Sequence, residues 1–132
     1  MNLSPAARVL AELQRRHETV ATAESLTGGL LGALLTAVPG ASVGYVGGVI
    51  SYATRLKETL AGVDPRVLAT SGPVAGRTAA EMATGVARRC TADWGVATTG
   101  VAGPEPQDGH LVGEVYVAAA HPASSSPNES RR

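Results

Sequence analysis

The stretch Thr22-Ala23-Glu24-Ser25-Leu26-Thr27-Gly28-Gly29 constrains this chain more than any other. The short apolar run Thr19–Thr22 reads as the end of a strand. Leu30–Val38 reads as a helix, closed by Pro39-Gly40. Two hydroxyls and two glycines lie between them. A tight strand-to-helix turn points backbone N–H groups and the positive end of a helix at one spot. Glycine there tolerates positive φ and lets a ligand approach the backbone. Ser25 in such a turn can serve as a nucleophile or as an anion ligand. The simpler alternative is that Ser25 or Thr27 only caps the helix.

The rest of the chain alternates in the same way. Ser4 and Pro5 open a helix whose apolar positions Ala6, Val9, Leu10 and Leu13 recur at helical spacing up to Arg16. Val43–Tyr52 is a long apolar run that predicts a buried strand, and its Gly47-Gly48 pair predicts a bulge or a close backbone approach. Thr54–Ala61 predicts a short helix stopped by Gly62, and Asp64-Pro65 starts another helical turn. After the break at Ser71-Gly72-Pro73, residues Ala75, Ala79, Met82, Ala83, Val86 and Cys90 share one face of a helix running to about Arg89. Trp94–Thr98 predicts a buried strand, Thr99–Val112 a long loop, and Gly113–Ala120 a last strand. Alternating strands and helices predict an α/β layered domain with a largely parallel sheet. From His121 onward the residues are mostly Ser, Pro, Asn and Arg, which predicts a disordered tail over 121–132.

Composition narrows the function. A length of 132 residues suits one domain, and 11 basic residues balance 11 acidic ones, which gives no electrostatic footprint for nucleic acid or an anionic membrane. With no Phe and one Trp, the core must be built from Ala, Val and Leu. No apolar run is long enough to span a bilayer, and no signal peptide is read at the N-terminus. A single cysteine, Cys90, excludes an internal disulfide framework, suits a reducing cytosol and is expected to be buried and inert. His17, His110 and His121 are scattered without metal-ligand spacing, so no metal is expected.

In open α/β sheets ligands bind at the carboxyl ends of the strands. Parallel strands would bring Ser25, Tyr52 and the Thr99-Gly100-Val101-Ala102-Gly103-Pro104 loop to one edge, where Lys57 can turn back over it. A serine needs a base to become a nucleophile, and a lysine serves only when burial or a nearby cation keeps it neutral. Tyr52 can relay a proton or orient the lysine, and the glycine turns can donate to an oxyanion. The plainer alternatives are a solvated Lys57 with only its stem packed, and a Tyr52 that packs with its hydroxyl at the surface. Glu24 is either a supporting acid or a helix-entry acid.

Taken in order, Ala23-Glu24-Ser25-Leu26-Thr27-Gly28-Gly29, Val38-Pro39-Gly40-Ala41-Ser42, Gly47-Gly48-Val49-Ile50-Ser51-Tyr52, Lys57, Gly62-Val63-Asp64 and Thr99–Pro104 resemble the CinA C-terminal domain family. That family includes nicotinamide mononucleotide deamidases of the PncC type, and the resemblance runs from Thr19 to Ala120. It implies a three-layer αβα sandwich with a mainly parallel sheet over residues 1–120. It implies hydrolysis of the amide of nicotinamide mononucleotide to nicotinic acid mononucleotide and ammonia, without metal or organic cofactor. Ser25 matches the family's nucleophile, Tyr52 its tyrosine and Lys57 its lysine base. Thr27, Gly28, Gly29, Thr99, Gly100 and Gly103 match the segments around the substrate. The implied setting is cytoplasmic, with a small-molecule nucleotide substrate and a homo-oligomeric assembly.

Three departures accompany the resemblance. Leu26 stands where many members have cysteine. Glu105-Pro106-Gln107-Asp108-Gly109 replaces further glycines and is expected to alter the pocket rim. The family continues past the last strand with another strand and a long helix that carries an arginine near the site, where this chain has His121–Arg132. Many members also carry a preceding nucleotide-hydrolase-like domain. The expectation is therefore a shortened domain with an uncovered apolar patch that self-associates. A catalytically weak or inactive nucleotide-binding or regulatory remnant, or a structural partner domain, are the alternatives.

Overall fold

A computed structural model describes residues 3–124. The elements run in the order α1 (Pro5–Arg16), β1 (Val20–Glu24), α2 (Leu30–Thr36), β2 (Tyr45–Ile50), α3 (Thr54–Thr59), α4 (Pro65–Ser71), α5 (Gly76–Arg89), β3 (Trp94–Gly100) and β4 (Val115–Ala120), with 3-10 turns at Ala41–Val43 and Pro122–Ser124. Among the described residues the sheet has the order β2-β1-β3-β4. The β1–β2 and β1–β3 pairs are parallel and β3–β4 is antiparallel. The chain is thus an α/β layered domain with a mostly parallel sheet.

All five residues of β1 are buried, because the strand is central and helices cover both its faces. Its alternation divides the core. Ala21 and Ala23 pack with Val67, Met82, Ala83 and Val86 on the α4/α5 side. Val20 packs with Leu10, Leu13 and Leu35 on the α1/α2 side. Ser4 caps α1 as expected, its hydroxyl accepting the Ala7 N–H at 3.1 Å with Pro5 at the first turn.

The expectation of a buried strand over Val43–Tyr52 needs correction. The strand is shorter and lies at the sheet edge, where its residues alternate between half-buried and exposed; Val46 is 46% and Ile50 50% exposed. A continuous apolar run does not distinguish an edge strand from a central one. Its glycines behave as expected. The register skips a residue between the Val20–Tyr45 and Ala21–Gly47 pairs, and a Cβ on Gly48 would lie 2.1 Å from the Thr22 carbonyl oxygen. The loop expected from Thr99 begins two residues later, because Thr99 and Gly100 still pair with β4.

Cys90 is half-buried at the C-cap of α5, not fully buried, and packs against the α4/α5-side core. Of the segment expected to be disordered, residues 125–132 lie outside the described residues. His121, before them, donates Nε2–H to the Glu18 carboxylate at 2.7 Å, and its ring centroid lies 4.6 Å from that of Trp94. On β4, Val115 and Val117 are 45% and 68% exposed, so its apolar face away from α5 is bare within the described residues. Among those residues no helix is long and apolar enough to cross a membrane.

Candidate active site at the carboxyl edge of the sheet

Beyond β1 the chain turns at once. The Gly28 N–H closes on the Ser25 carbonyl at 3.0 Å, and Gly28 and Gly29 take φ of 58° and 108°, a region that favours glycine. The alternation of β1 turns Glu24 toward α2, and Ser25, next in line, faces the opposite way. Ser25 is 5% exposed. Its N–H makes a long 3.4 Å contact to the Thr98 hydroxyl.

Lys57 reaches this serine from α3, of which it is the one buried residue. Its Nζ lies 2.9 Å from Ser25 Oγ, 2.9 Å from the Ser51 carbonyl and 3.2 Å from the Tyr52 carbonyl. The amine is 2% exposed and pairs with no carboxylate among the described residues. Burial without a counter-ion pushes its pKa down to about 8. Roughly a tenth of the amine is then neutral at pH 7, and a neutral amine at this distance can take the serine proton.

A cleft of about 380 Å³ opens on the pair, within the range of ligand pockets. Its walls include Ser25, Leu26, Tyr52, Lys57, Val74 and the Thr99–Gly103 segment, and Glu105 and Gln107 stand at its rim. Thr99, Gly100 and Gly103 are thus part of the cleft wall. The Thr99 hydroxyl itself donates to the Pro73 carbonyl at 2.6 Å.

Tyr52 lines the cleft, yet it meets Lys57 through its carbonyl and not its phenol. The side chain is 68% exposed. Thr27, Gly28 and Gly29 do not line this cleft. The Thr27 hydroxyl bonds the Glu24 carboxylate at 2.6 Å and the Thr98 hydroxyl at 2.8 Å. Glu24 also accepts the N–H groups of Gly29 at 3.2 Å, Leu31 at 2.9 Å and Gly32 at 2.9 Å. The start of α2, which the sequence offers to a ligand anion, is thus occupied by the chain's own carboxylate. Burial alone would raise the Glu24 pKa; the Thr27 hydroxyl and the three N–H donors together lower it.

Sequence reasoning gives Ser51 and Thr98 no role of their own. Ser51 is fully buried; its N–H donates to the Glu24 carbonyl at 2.7 Å, and its carbonyl accepts from Lys57. Its contribution is made by backbone, which carries no side-chain signal. The scattered histidines serve structure: His17 caps α1 in a left-handed conformation, and His110 bonds Glu114. Among the described residues no cluster of His, Cys, Asp and Glu could hold a metal ion.

Comparison with known proteins agrees with this architecture. A CinA-like protein of Frankia casuarinae is 53% identical over 114 residues, covering 86% of this chain and 26% of that protein. One of Thermosynechococcus vestitus is 50% identical over 111 residues, covering 83% of this chain and 27% of that protein. The chain thus spans about a quarter of the length of these relatives. The crystal structure of the competence/damage inducible protein CihA from Agrobacterium tumefaciens superposes with a TM-score of 0.85 at 34% identity, over 95% of this chain and 80% of that one. The profile of the CinA C-terminal domain matches residues 2–131, and the chain belongs to that family.

Proposed function

We propose that the chain is an amidohydrolase acting on nicotinamide mononucleotide, with Ser25 as nucleophile and Lys57 as its base. The observation that carries this reading is the 2.9 Å contact between Ser25 Oγ and a buried lysine amine that lacks a counter-ion. Neutral Lys57 takes the Ser25 proton as Oγ attacks the amide carbon. The protonated amine then gives that proton to the departing nitrogen, so ammonia leaves and an ester to Ser25 remains. Water, deprotonated by the same amine, then attacks the ester carbon; nicotinic acid mononucleotide leaves and Lys57 returns the proton to Ser25 Oγ. The backbone N–H of Leu26, a residue of the cleft wall, makes no hydrogen bond among the described residues and is available to the oxyanion. The route needs no metal or organic cofactor.

Tyr52 enters as a wall of the cleft and through its carbonyl, which helps hold the amine. The same reading takes the protein as cytoplasmic and homo-oligomeric, with a small-molecule partner and neither nucleic acid nor membrane. Incubating the purified chain with nicotinamide mononucleotide and measuring ammonia tests it. Release that depends on Ser25 supports the reading, and none above the Ser25→Ala chain refutes it.

A second reading, a catalytically weak or inactive member, is favoured by one observation. Lys57 is the one basic side chain among the described residues lining the cleft, and it is committed to Ser25. No lining residue then offers a cation to the substrate's phosphate. Under this reading nicotinamide mononucleotide saturates poorly, and its riboside is handled equally well.

A further inference from the structure

The Ser25–Lys57 pair is held in register from behind by the residue that precedes the serine. Glu24 is 2% exposed and acts on both halves of the pair. Its side chain gathers the Thr27 hydroxyl and the N–H groups of Gly29, Leu31 and Gly32, which span the turn that carries Ser25. Its main-chain carbonyl accepts the Ser51 N–H at 2.7 Å, and the Ser51 carbonyl accepts from Lys57 at 2.9 Å. One residue therefore ties the serine turn to the lysine clamp.

We infer that Glu24 is a positioning residue, whose carboxylate locks the Ser25 turn so that Oγ stays within hydrogen-bond reach of Lys57. This rests on reading Ser25 as the nucleophile. The chemistry of the site demands a carboxylate. Oε1 accepts from Thr27, Gly29 and Leu31, and Oε2 accepts from Gly32. A carboxylate is acceptor-only, whereas an amide carries donors on one of its two ends. A glutamine must therefore point an NH2 group at a backbone N–H in either orientation. Movement of the turn relieves that clash. Gly28 and Gly29 leave it free to move, since their positive φ values are easily exchanged for others. Displacement of a reacting group by about 1 Å can cost on the order of 10²-fold in rate.

The test reads Ser25 directly, without the natural substrate. p-Nitrophenyl acetate acylates an activated serine and releases p-nitrophenolate, and the rate lost in Ser25→Ala is the part owed to Ser25. Glu24→Gln is compared with the wild-type chain well below its own melting point, with Trp94 fluorescence reporting the folded fraction. The expected result is a fall of about 10-fold or more in the Ser25-dependent rate per folded molecule. Ammonia release should show a matching fall in kcat and little change in KM. A folded Glu24→Gln chain that acylates at the wild-type rate overturns the proposal, since a purely structural role would lower the melting point alone. If Glu24→Gln does not fold, Thr27→Val removes one of the four bonds. A several-fold slower acylation then supports the proposal and an unchanged rate overturns it. Acylation that depends on Glu24 without ammonia release counts for the positioning role and against the amide substrate. Wild-type acylation no faster than that of Ser25→Ala overturns both.

Discussion

Glu24, the last residue of β1, and Lys57, which reaches that strand end from α3, are both ionisable residues buried to 2% exposure, and they are handled in opposite ways. The carboxylate is surrounded by a hydroxyl and three backbone N–H donors, which hold it ionised. The amine meets two carbonyls and a hydroxyl but no counter-charge, and burial pushes its pKa down to about 8. A buried charge whose donors or acceptors are complete is a structural fastener. One left without an opposite charge has its pKa drawn down toward physiological pH, so a reactive neutral fraction becomes available. The two sides of one strand end thus divide between anchoring and chemistry.

The contrast breaks most sharply at the reactive side. Ser25→Ala should reduce Ser25-dependent ammonia release to background, a loss of about 10³-fold or more, with folding intact because the residue is small. Lys57→Ala should cost nearly as much, and the double variant little more, because members of one catalytic unit do not add. Ammonia assays on the three chains decide this. Substantial release by Ser25→Ala would place the nucleophile elsewhere.

Titration sharpens it next. An unfolded lysine titrates near 10.4, above the folded value of about 8. The unfolded chain binds more protons between those values, so stability rises with pH across that window, by roughly 3 kcal/mol. Urea melts of the wild type and Lys57→Met at several pH values should show the rise only in the wild type. The amidase rate should climb through about pH 8 as Lys57 loses its proton. Glu24 works in the opposite pH range. Its folded pKa is lowered, so its contribution is present above the unfolded value and fades as pH falls through the folded one.

On the anchoring side, Glu24→Gln should lower stability by about 1–3 kcal/mol, because an N–H donor is left facing another donor in the interior. Denaturant midpoints measure this, and a variant as stable as the wild type would show that the turn satisfies its donors in another way. The smallest effect is expected at Tyr52. Its phenol is exposed and its link to Lys57 is a backbone carbonyl. Tyr52→Phe should therefore keep kcat within about 3-fold, since uncoupled surface hydroxyls contribute little. A loss near 100-fold would restore the hydroxyl to the proton path.

Much of the fold was legible in local pattern. Ser4-Pro5, Gly62 and Asp64-Pro65 mark helix ends through capping and fixed φ, and each lies at such an end in the structure. The β2 run is an edge strand and not a buried one: an apolar stretch records composition and not position in the sheet, which only the strand order shows. Thr27, Gly28 and Gly29 carry the composition of an anion-binding turn. Nothing local reveals that Glu24 folds back to take those N–H groups, because that choice depends on which way the β1 pleat turns the side chain.

By itself the sequence determined the alternation of strands and helices and the serine turn with its two glycines, and it placed a lysine within reach of that edge. Those features follow from side-chain period and backbone freedom, which act over a few residues. Only the tertiary structure decided the charge state of Lys57 and the fate of the start of α2. A lowered pKa requires removal of water from an amine by residues far apart in the chain, with Ser25 and Lys57 separated by 32 positions. Desolvation is a property of the assembled interior, and no local stretch of sequence carries it.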